Sequence, residues 1–281
     1  MKNELQPVVK WSGSKRSQAK AIYELIPDKK YDTYYEPFCG GCSMLNYILH
    51  RNPSKFKHYV ASDKNDGLIS LFNEIKTNPS IVSDEYERMW NELNSTDDKE
   101  VKKRYFENIR NQFNKTHSPY LFYFIMRTTT NGMPRYNRKG EFNNSFHVTR
   151  DGMKPETSRG IVKNWSVALN ENNVEFINQL YVDVKPSEND FVYLDPPYAN
   201  TSGMYYGGID QNKLWDWIRN IPCDYAMSYD GIAGDKDMIS YVPEDIYTKH
   251  HLITSGNSSF RRVIGNSTDT IVKESLYVRF N

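Results

Sequence analysis

A chain of 281 residues with 38% hydrophobic residues is long enough to bury a sizeable core in one large domain or one domain with an insertion. No apolar run approaches the roughly 18 residues of a membrane span, and Met1-Lys2-Asn3-Glu4 lacks the pattern of a signal peptide, so a cytoplasmic protein without a membrane partner is expected. Only three cysteines are present, which excludes a four-thiolate zinc site and leaves Cys39-x-x-Cys42 as either a redox pair or two small buried thiols.

The net charge of +1 conceals a segregation. Residues 99 to 163 hold 14 Lys/Arg against 5 Asp/Glu, a local +9, so the remainder sums to −8. Such a block is a candidate polyanion-binding surface or a solvated helical face.

In chain order, Val8-Val9 leads into Lys10-Trp11-Ser12-Gly13-Ser14-Lys15, and an amphipathic pattern predicts a helix from about Ser17 to Leu25. Small residues at a helix entrance admit an anionic group to the backbone N-H groups, with Lys15 for charge and Trp11 for stacking; a plain N-terminal cap is the alternative. Tyr34-Tyr35-Glu36-Pro37-Phe38-Cys39-Gly40-Gly41 followed by Cys42 to Leu49 reads as strand, glycine turn and helix, the first unit of a Rossmann-like sheet. It is not G-x-G-x-x-G, so a dinucleotide phosphate grip is not supported. A second strand, His58 to Ser62, delivers Asp63 about twenty residues past the glycine turn. That carboxylate can take two ribose hydroxyls of an adenosine cofactor, or cap a helix from Gly67 to Ile75.

From Pro79 to Tyr123 the pattern is helical, with Trp90, Leu93, Tyr105, Ile109 and Phe113 as core positions. The polar stretch Thr128 to His147 interleaves arginine, asparagine and aromatic residues around glycines and reads as a β-hairpin turning near Lys139-Gly140. That mixture suits phosphates and base edges, although a surface loop has a similar composition. A helix around Val162 to Leu169 precedes a strand at Val174 to Ile177, in which Phe176 is a candidate flank for a cofactor adenine.

The run Phe191-Val192-Tyr193-Leu194 then reads as a buried strand, stopped by Asp195-Pro196-Pro197-Tyr198. A carboxylate at the carboxyl end of a strand sits where open α/β sheets bind ligands. The Asp195 carboxylate and the Pro196 carbonyl both accept hydrogen bonds, and Tyr198 adds a flat ring; together they suit an exocyclic amine on a planar heterocycle. A strand-ending turn is the bland alternative. A helix at Leu214 to Ile221, a strand at Tyr225 to Ser228 and a late antiparallel strand at Ser275 to Phe280 complete the pattern.

With Lys10-Trp11 to Lys15, Glu36-Pro37-Phe38-Cys39-Gly40-Gly41, Asp63 and Asp195-Pro196-Pro197-Tyr198 in this order, the sequence resembles the Dam-type adenine-N6 DNA methyltransferases of the D12 class, alpha group. The resemblance implies a Rossmann-like S-adenosylmethionine-dependent α/β sheet (1–76 and 164–281) with an inserted, mainly helical DNA-recognition domain (77–163) carrying a β-hairpin. It implies that Trp11, Lys15, Glu36, Pro37, Phe38, Gly40, Asp63, Phe176 and Asp195 serve the cofactor, with Asp195, Pro196 and Tyr198 catalytic and no metal. Arg127, Asn131, Arg135, Tyr136, Asn137, Arg138, Lys139 and Asn143 are then the expected contacts to double-stranded DNA.

The implied activity is site-specific methylation of a flipped adenine at N6, in a bacterial or phage-infected cell and of the kind found in restriction-modification. Cytosine-N4 methylation and a catalytically inactive DNA-binding relative are the alternatives. The family's hairpin often reads Gly-x-Phe-Asn-x-Pro-Phe-Gly; here Gly140-Glu141-Phe142-Asn143 is kept and Ser145-Phe146-His147 replaces the end, which leaves the target sequence open.

Overall fold

Aromatic and β-branched runs build the sheet. In the computed structural model, which describes residues 5–198, 208–233, 236–237, 239–257 and 271–280, the strands are β1 (Tyr31–Glu36), β2 (Phe56–Asp63), β3 (Val174–Asn178), β4 (Phe191–Leu194), β5 (Asp224–Ala233), β6 (Lys236–Asp237), β7 (Lys249–Asn257) and β8 (Ile271–Arg279). They form one sheet in the order β3-β2-β1-β4-β5-β8-β7, with β6 against β5. The first five pair in parallel, and β8 runs antiparallel to both β5 and β7. All four residues of β4 are buried, as expected for a central parallel strand.

The strand order reverses between β1 and β4. Just beyond the carboxyl ends at that switch point lies the crevice where this class of sheet binds ligands. Glu36 ends β1, Asp63 ends β2 and Asp195 follows β4, so three acidic residues far apart in sequence converge there. This is the Rossmann-like α/β architecture that the sequence predicts. Strand β7 was not among the expected elements, because its opening Lys249-His250-His251 is polar, as suits an edge strand facing solvent.

Among the helices, α1 (Ala19–Leu25) starts two residues later than expected, because Lys15–Ser17 form a separate 3₁₀ turn. Helices α2 (Ser43–Arg51) and α3 (Asp66–Thr77) follow β1 and β2. Asn65, not Asp63, caps α3: its Oδ1 accepts from the Leu68 N-H at 3.0 Å, which frees Asp63 from the capping role. The helical stretch after Pro79 resolves into α4 (Pro79–Leu93), α5 (Lys99–Thr116) and α6 (Pro119–Thr128). Asp98 caps α5, His117 ends it in the left-handed conformation, and Pro119 opens α6 at a position where a missing N-H is harmless. Helix α7 (Pro155–Glu171) runs unbroken across residues 163 and 164, and α8 (Gln211–Arg219) covers β4 and β5.

One hydrophobic core joins the sheet to helices α2 to α7. Tyr34, Phe56 and Phe191 cluster on the sheet, and Phe72 of α3 lies 5.4 Å from Trp165 of α7. Helix α3 approaches α5 and α6 so closely that a Cβ at Gly67 would lie 3.0 Å from the Phe122 ring and 3.1 Å from that of Phe113. Among the described residues, no helix is long and apolar enough to cross a membrane.

The hairpin is less regular than expected. Its strands pair at two isolated antiparallel bridges, Thr129↔Phe146 and Tyr136↔Phe142, around a turn in which Gly140 takes φ +79°, and Asn144 ties it across by donating to the Thr130 and Met133 carbonyls. It is anchored to the helices: Phe142 and Phe146 are buried against Phe113 and Phe106, and Asn114 of α5 clasps the Phe142 backbone by accepting from its N-H at 2.8 Å and donating to its carbonyl at 3.0 Å.

Candidate active site

A cavity of about 310 Å³ opens at the switch point. Its floor is the glycine turn, where Gly40 takes φ +44° and lies so close to Trp11 that a Cβ would fall 2.6 Å from the indole Nε1. A β-carbon at Gly41 would meet the Trp11 side chain at 2.9 Å, so both glycines are required by close approach as well as by the turn. Cys39 and Cys42 flank them, both buried and free, and burial pushes both thiols up, so they are inert packing groups rather than thiolates.

Asp63 borders this floor. Its Oδ2 accepts from the Gly40 N-H at 3.2 Å and its Oδ1 from the Asn65 N-H at 2.9 Å, which ties the glycine turn to the start of α3. The Lys64 backbone N-H is a third donor to this carboxylate, so of its roughly four lone-pair sites one stays open to a ligand's hydroxyl. Burial raises its pKa, and the backbone N-H bonds oppose that rise. Phe38 packs on Tyr181 with the ring centres 5.3 Å apart, and Leu180 and Tyr181 give the cavity an apolar side.

Phe176 is elsewhere. It is 5% exposed, stacks on Phe72 at 4.7 Å and 5° in the core and is absent from the cavity wall; the residues that follow β3, Gln179 to Tyr181, take the place expected for it. The strand alternation explains the shift, since Phe176 points into the α3 side of the sheet.

Asp195 stands at the opposite wall. Lys15 donates to its Oδ1 at 2.9 Å, reaches Glu274 Oε2 at 3.3 Å and the Gly13 carbonyl at 3.1 Å, and lies 5.2 Å from the centre of the Tyr198 ring. Every ammonium hydrogen of Lys15 thus has a protein acceptor. The Tyr198 hydroxyl donates to Glu274 Oε2 at 3.1 Å, and its ring meets Tyr229 edge-on at 5.6 Å. Burial pushes the Asp195 pKa up to about 6, with Lys15 pulling it down and Glu274 pushing it up. For Lys15 burial works against the charge, yet Asp195, Tyr198 and Glu274 outweigh it and its pKa rises. Glu36, 3% exposed, accepts from the Tyr34 hydroxyl at 2.8 Å and the Leu45 N-H at 3.0 Å; burial raises its pKa to about 8 despite those bonds.

The hairpin closes the third side through Pro134 and Tyr136, whose hydroxyl accepts from Asn65 Nδ2 at 2.9 Å. Of the expected DNA contacts, Asn131, Arg135, Arg138, Lys139 and Asn143 are exposed. Two others are committed to the protein. Asn137 forms the turn, its Oδ1 accepting from the Lys139 and Glu141 N-H groups and its Nδ2 donating to Glu141 Oε2, while Arg127 donates to the Pro7 carbonyl at 2.6 Å and lies 5.8 Å from the centre of the Tyr123 ring. Lys10, beside Gly132 at the hairpin base, was not among the expected contacts; burial, then the charges of Arg150 and Arg127, lower its pKa, marking a cationic cluster next to the cavity. Glu274 escaped the sequence reading too, since nothing local in Val272-Lys273-Glu274-Ser275 sets it apart from a strand position. Among the described residues no three His, Cys, Asp or Glu side chains form a metal-binding group.

This fold and site, a glycine-floored cavity facing a strand-end Asp-Pro-Pro-Tyr, define a nucleotide-type methyltransferase. Residues 11–220 match the D12 class N6 adenine-specific DNA methyltransferases, and the chain belongs to that family. It is 29% identical over 211 residues to the type II methyltransferase M.MjaIII of Methanocaldococcus jannaschii, covering 69% of this chain and 70% of that one. It is 30% identical to the type II methyltransferase M.FokI of Planomicrobium okeanokoites, covering 74% of this chain and 31% of that one. To the DNA adenine methylase of Escherichia coli (strain K12) it is 33% identical, covering 69% of this chain and 65% of that one. The matched part of the second relative is thus under a third of its length, and of the third just under two thirds. A solved rRNA methyltransferase, aviRa from Streptomyces viridochromogenes, aligns over 92% of this chain and 82% of its own with 12% identity and a TM-score of 0.38, too low to bear on function.

Proposed function

We propose that the protein transfers a methyl group from S-adenosylmethionine to the N6 amine of an adenine flipped out of duplex DNA at a specific site. One observation carries this reading: the Asp195 carboxylate and the Tyr198 ring share one cavity with the glycine turn and with the hairpin residues Pro134 and Tyr136. Cofactor floor, acceptor and recognition element therefore meet at one point.

The residues fit the cofactor. The Gly40–Gly41 floor against Trp11 suits a group lying along the backbone, the Asp63 carboxylate suits a ribose hydroxyl, and Phe38 and Tyr181 offer an apolar side against which an adenine ring lies. Glu36 and Pro37 shape the turn from behind. When bound, the cofactor supplies a methyl group on a positively charged sulfur, an electrophile ready for displacement.

The protein's part is to make a poor nucleophile a better one. An adenine amine has its lone pair delocalised into the ring. Asp195 and the Pro196 carbonyl, each accepting one amine hydrogen, draw the nitrogen towards tetrahedral geometry and direct its lone pair at the methyl group. Transfer would form the new N–C bond as the cofactor's S–C bond broke, the electron pair going with sulfur, and the proton the amine then sheds would pass to Asp195, the adjacent base. At pH 7 a carboxyl with a pKa of about 6 is mainly ionised and able to accept. Positioning supplies much of the acceleration, and no covalent enzyme intermediate is required.

Tyr198 stacks on the extruded base. Such stacking is worth about 1–3 kcal/mol and offsets much of the few kcal/mol lost on flipping. Arg135, Arg138, Lys139, Asn131 and Asn143 face the duplex, with Lys10 and Arg150 nearby as phosphate contacts.

The test is mass spectrometry of nucleosides from unmethylated DNA incubated with the purified protein and S-adenosylmethionine, beside an Asp195→Ala control. N6-methyladenine that disappears in the control is expected. N4-methylcytosine would keep the geometry and change the base, whereas no methylated base despite cofactor and DNA binding would identify a non-catalytic DNA-binding protein.

A further inference from the structure

Lys15 and Glu274 come from opposite ends of the chain and meet beside Asp195. Their meeting depends on an irregularity in the sheet. Strands β5 and β8 pair regularly at Ser228↔Leu276 and Tyr229↔Ser275, then skip one residue, so that Gly231, not Asp230, opposes Glu274. Asp230 takes φ +41° in this bulge, and Gly231 approaches β8 so closely that any β-carbon would collide with the Lys273 carbonyl. A bulge re-aims the side chains opposite it. Here the Glu274 carboxylate reaches both the Lys15 ammonium, 3.3 Å away, and the Tyr198 hydroxyl, 3.1 Å away.

The chemistry of that contact is specific. A carboxylate paired with one lysine alone has its negative charge largely neutralised and is a weaker acceptor for an amine hydrogen. A second carboxylate on the same ammonium divides the positive charge and leaves the first more basic. The groups around Asp195 are Lys15 from the N-terminal motif, Glu274 from β8, Tyr193 from β4, Tyr198 beyond it, and Glu36 at the end of β1. Tyr193 bonds to Ser228 at 2.8 Å, and Glu36 is held by Tyr34 and Leu45. Among the described residues, Glu274 and Asp195 are the two carboxylates that pair with Lys15.

We propose that Glu274 is a positioning residue of the methyl-transfer site: by sharing Lys15 with Asp195 and holding the Tyr198 hydroxyl, it keeps Asp195 a strong hydrogen-bond acceptor and fixes the ring on which the base stacks. The proposal rests on the methyltransferase reading above. It assigns Lys15 to the acceptor carboxylate rather than to the cofactor.

The experiment compares wild type, Glu274→Gln and Glu274→Asp by methyl transfer to unmethylated duplex DNA from pH 5 to 9, with S-adenosylmethionine affinity measured by calorimetry. In parallel, the Asp195 carboxyl is titrated by ¹³C NMR, its resonance assigned with Asp195→Asn. For Glu274→Gln the expected result is a kcat lowered about tenfold, an acid limb displaced to lower pH, a lower Asp195 midpoint and cofactor affinity within twofold of wild type. Glu274→Asp, which keeps the charge, is expected to hold the wild-type acid limb while losing several-fold in kcat through its shorter reach to Tyr198. A Glu274→Gln enzyme with wild-type kcat and acid limb would overturn the proposal. If Glu274→Gln does not fold, the same comparison is made with Glu274→Asp and Tyr198→Phe, where wild-type kcat in both overturns it. A wild-type protein that transfers no methyl group would instead overturn the reaction, and the NMR midpoint alone would then decide whether Glu274 tunes Asp195.

Discussion

Replacing Gly40 by alanine should damage the protein twice, in stability and in cofactor binding. At φ +44° a residue with a β-carbon costs about 1–2 kcal/mol in the left-handed region. The added carbon would also lie 2.6 Å from Trp11 Nε1 and 2.9 Å from its Cδ1, so the indole must leave the cavity floor. Gly160 is the natural control: it is exposed within α7, a β-carbon there meets nothing within 4 Å, and Gly160→Ala should stabilise the helix by about 0.5–1 kcal/mol. The same substitution is thus expected to change sign between two sites. Urea unfolding of both variants measures the first effect, and calorimetric titration with S-adenosylmethionine the second. Gly40→Ala should lose at least tenfold in affinity, about 1.4 kcal/mol, with Gly160→Ala unchanged. A Gly40→Ala protein of wild-type stability and affinity would refute both the strain and the cradle.

Three further outcomes follow from other parts of the molecule. Phe142→Ala removes a ring that is 1% exposed and meets Tyr136 edge-on at 5.5 Å, so it should cost about 3–5 kcal/mol by urea unfolding; a loss under about 1 kcal/mol would mean the hairpin is not anchored there. Arg138→Ala or Arg135→Ala should relax the choice of sequence around the methylated base, read by sequencing of methylated sites, whereas equal weakening on all sequences would make that residue a phosphate contact. Glu36, with its pKa raised from 4.5 to about 8, keeps in the folded state a proton that the unfolded chain has already released. Stability should therefore fall as pH rises from about 4.5 to 8, by up to about 1.4 kcal/mol per unit, and Glu36→Gln, which retains an oxygen for Tyr34 and Leu45, should flatten that slope; parallel slopes in urea midpoints between pH 5.5 and 8 would exclude it.

Much of the site is local and was therefore readable before folding. Asp195-Pro196-Pro197-Tyr198 announces itself because two prolines must end a strand, and Glu36 to Gly41 because paired glycines between a strand and a helix mark a turn with an open backbone. Asp63 follows from its place at the end of the second strand. The alternation of strands and helices likewise carried the parallel order of β1 to β5, because each parallel connection requires a crossover.

What escaped was decided by contacts between residues far apart. Phe176 belongs to the core rather than the cavity because Phe72 offers it a stacked partner on the inner face of the sheet. Arg127 and Asn137 looked free to meet DNA, yet the backbone at Pro7 and the turn at Lys139 to Glu141 claim them; a side chain's appetite for hydrogen bonds is visible in sequence, but its supplier is not. Glu274 is the clearest case. The strand expected at Ser275 to Phe280 starts one residue after it, whereas β8 begins at Ile271, and only the one-residue bulge at Asp230 and the antiparallel register bring its carboxylate to Lys15 and Tyr198. Local sterics wrote the motifs into the chain, whereas the electrostatics of the site arise from pairings more than 250 residues apart in sequence, as between Lys15 and Glu274, and exist only once the sheet has closed.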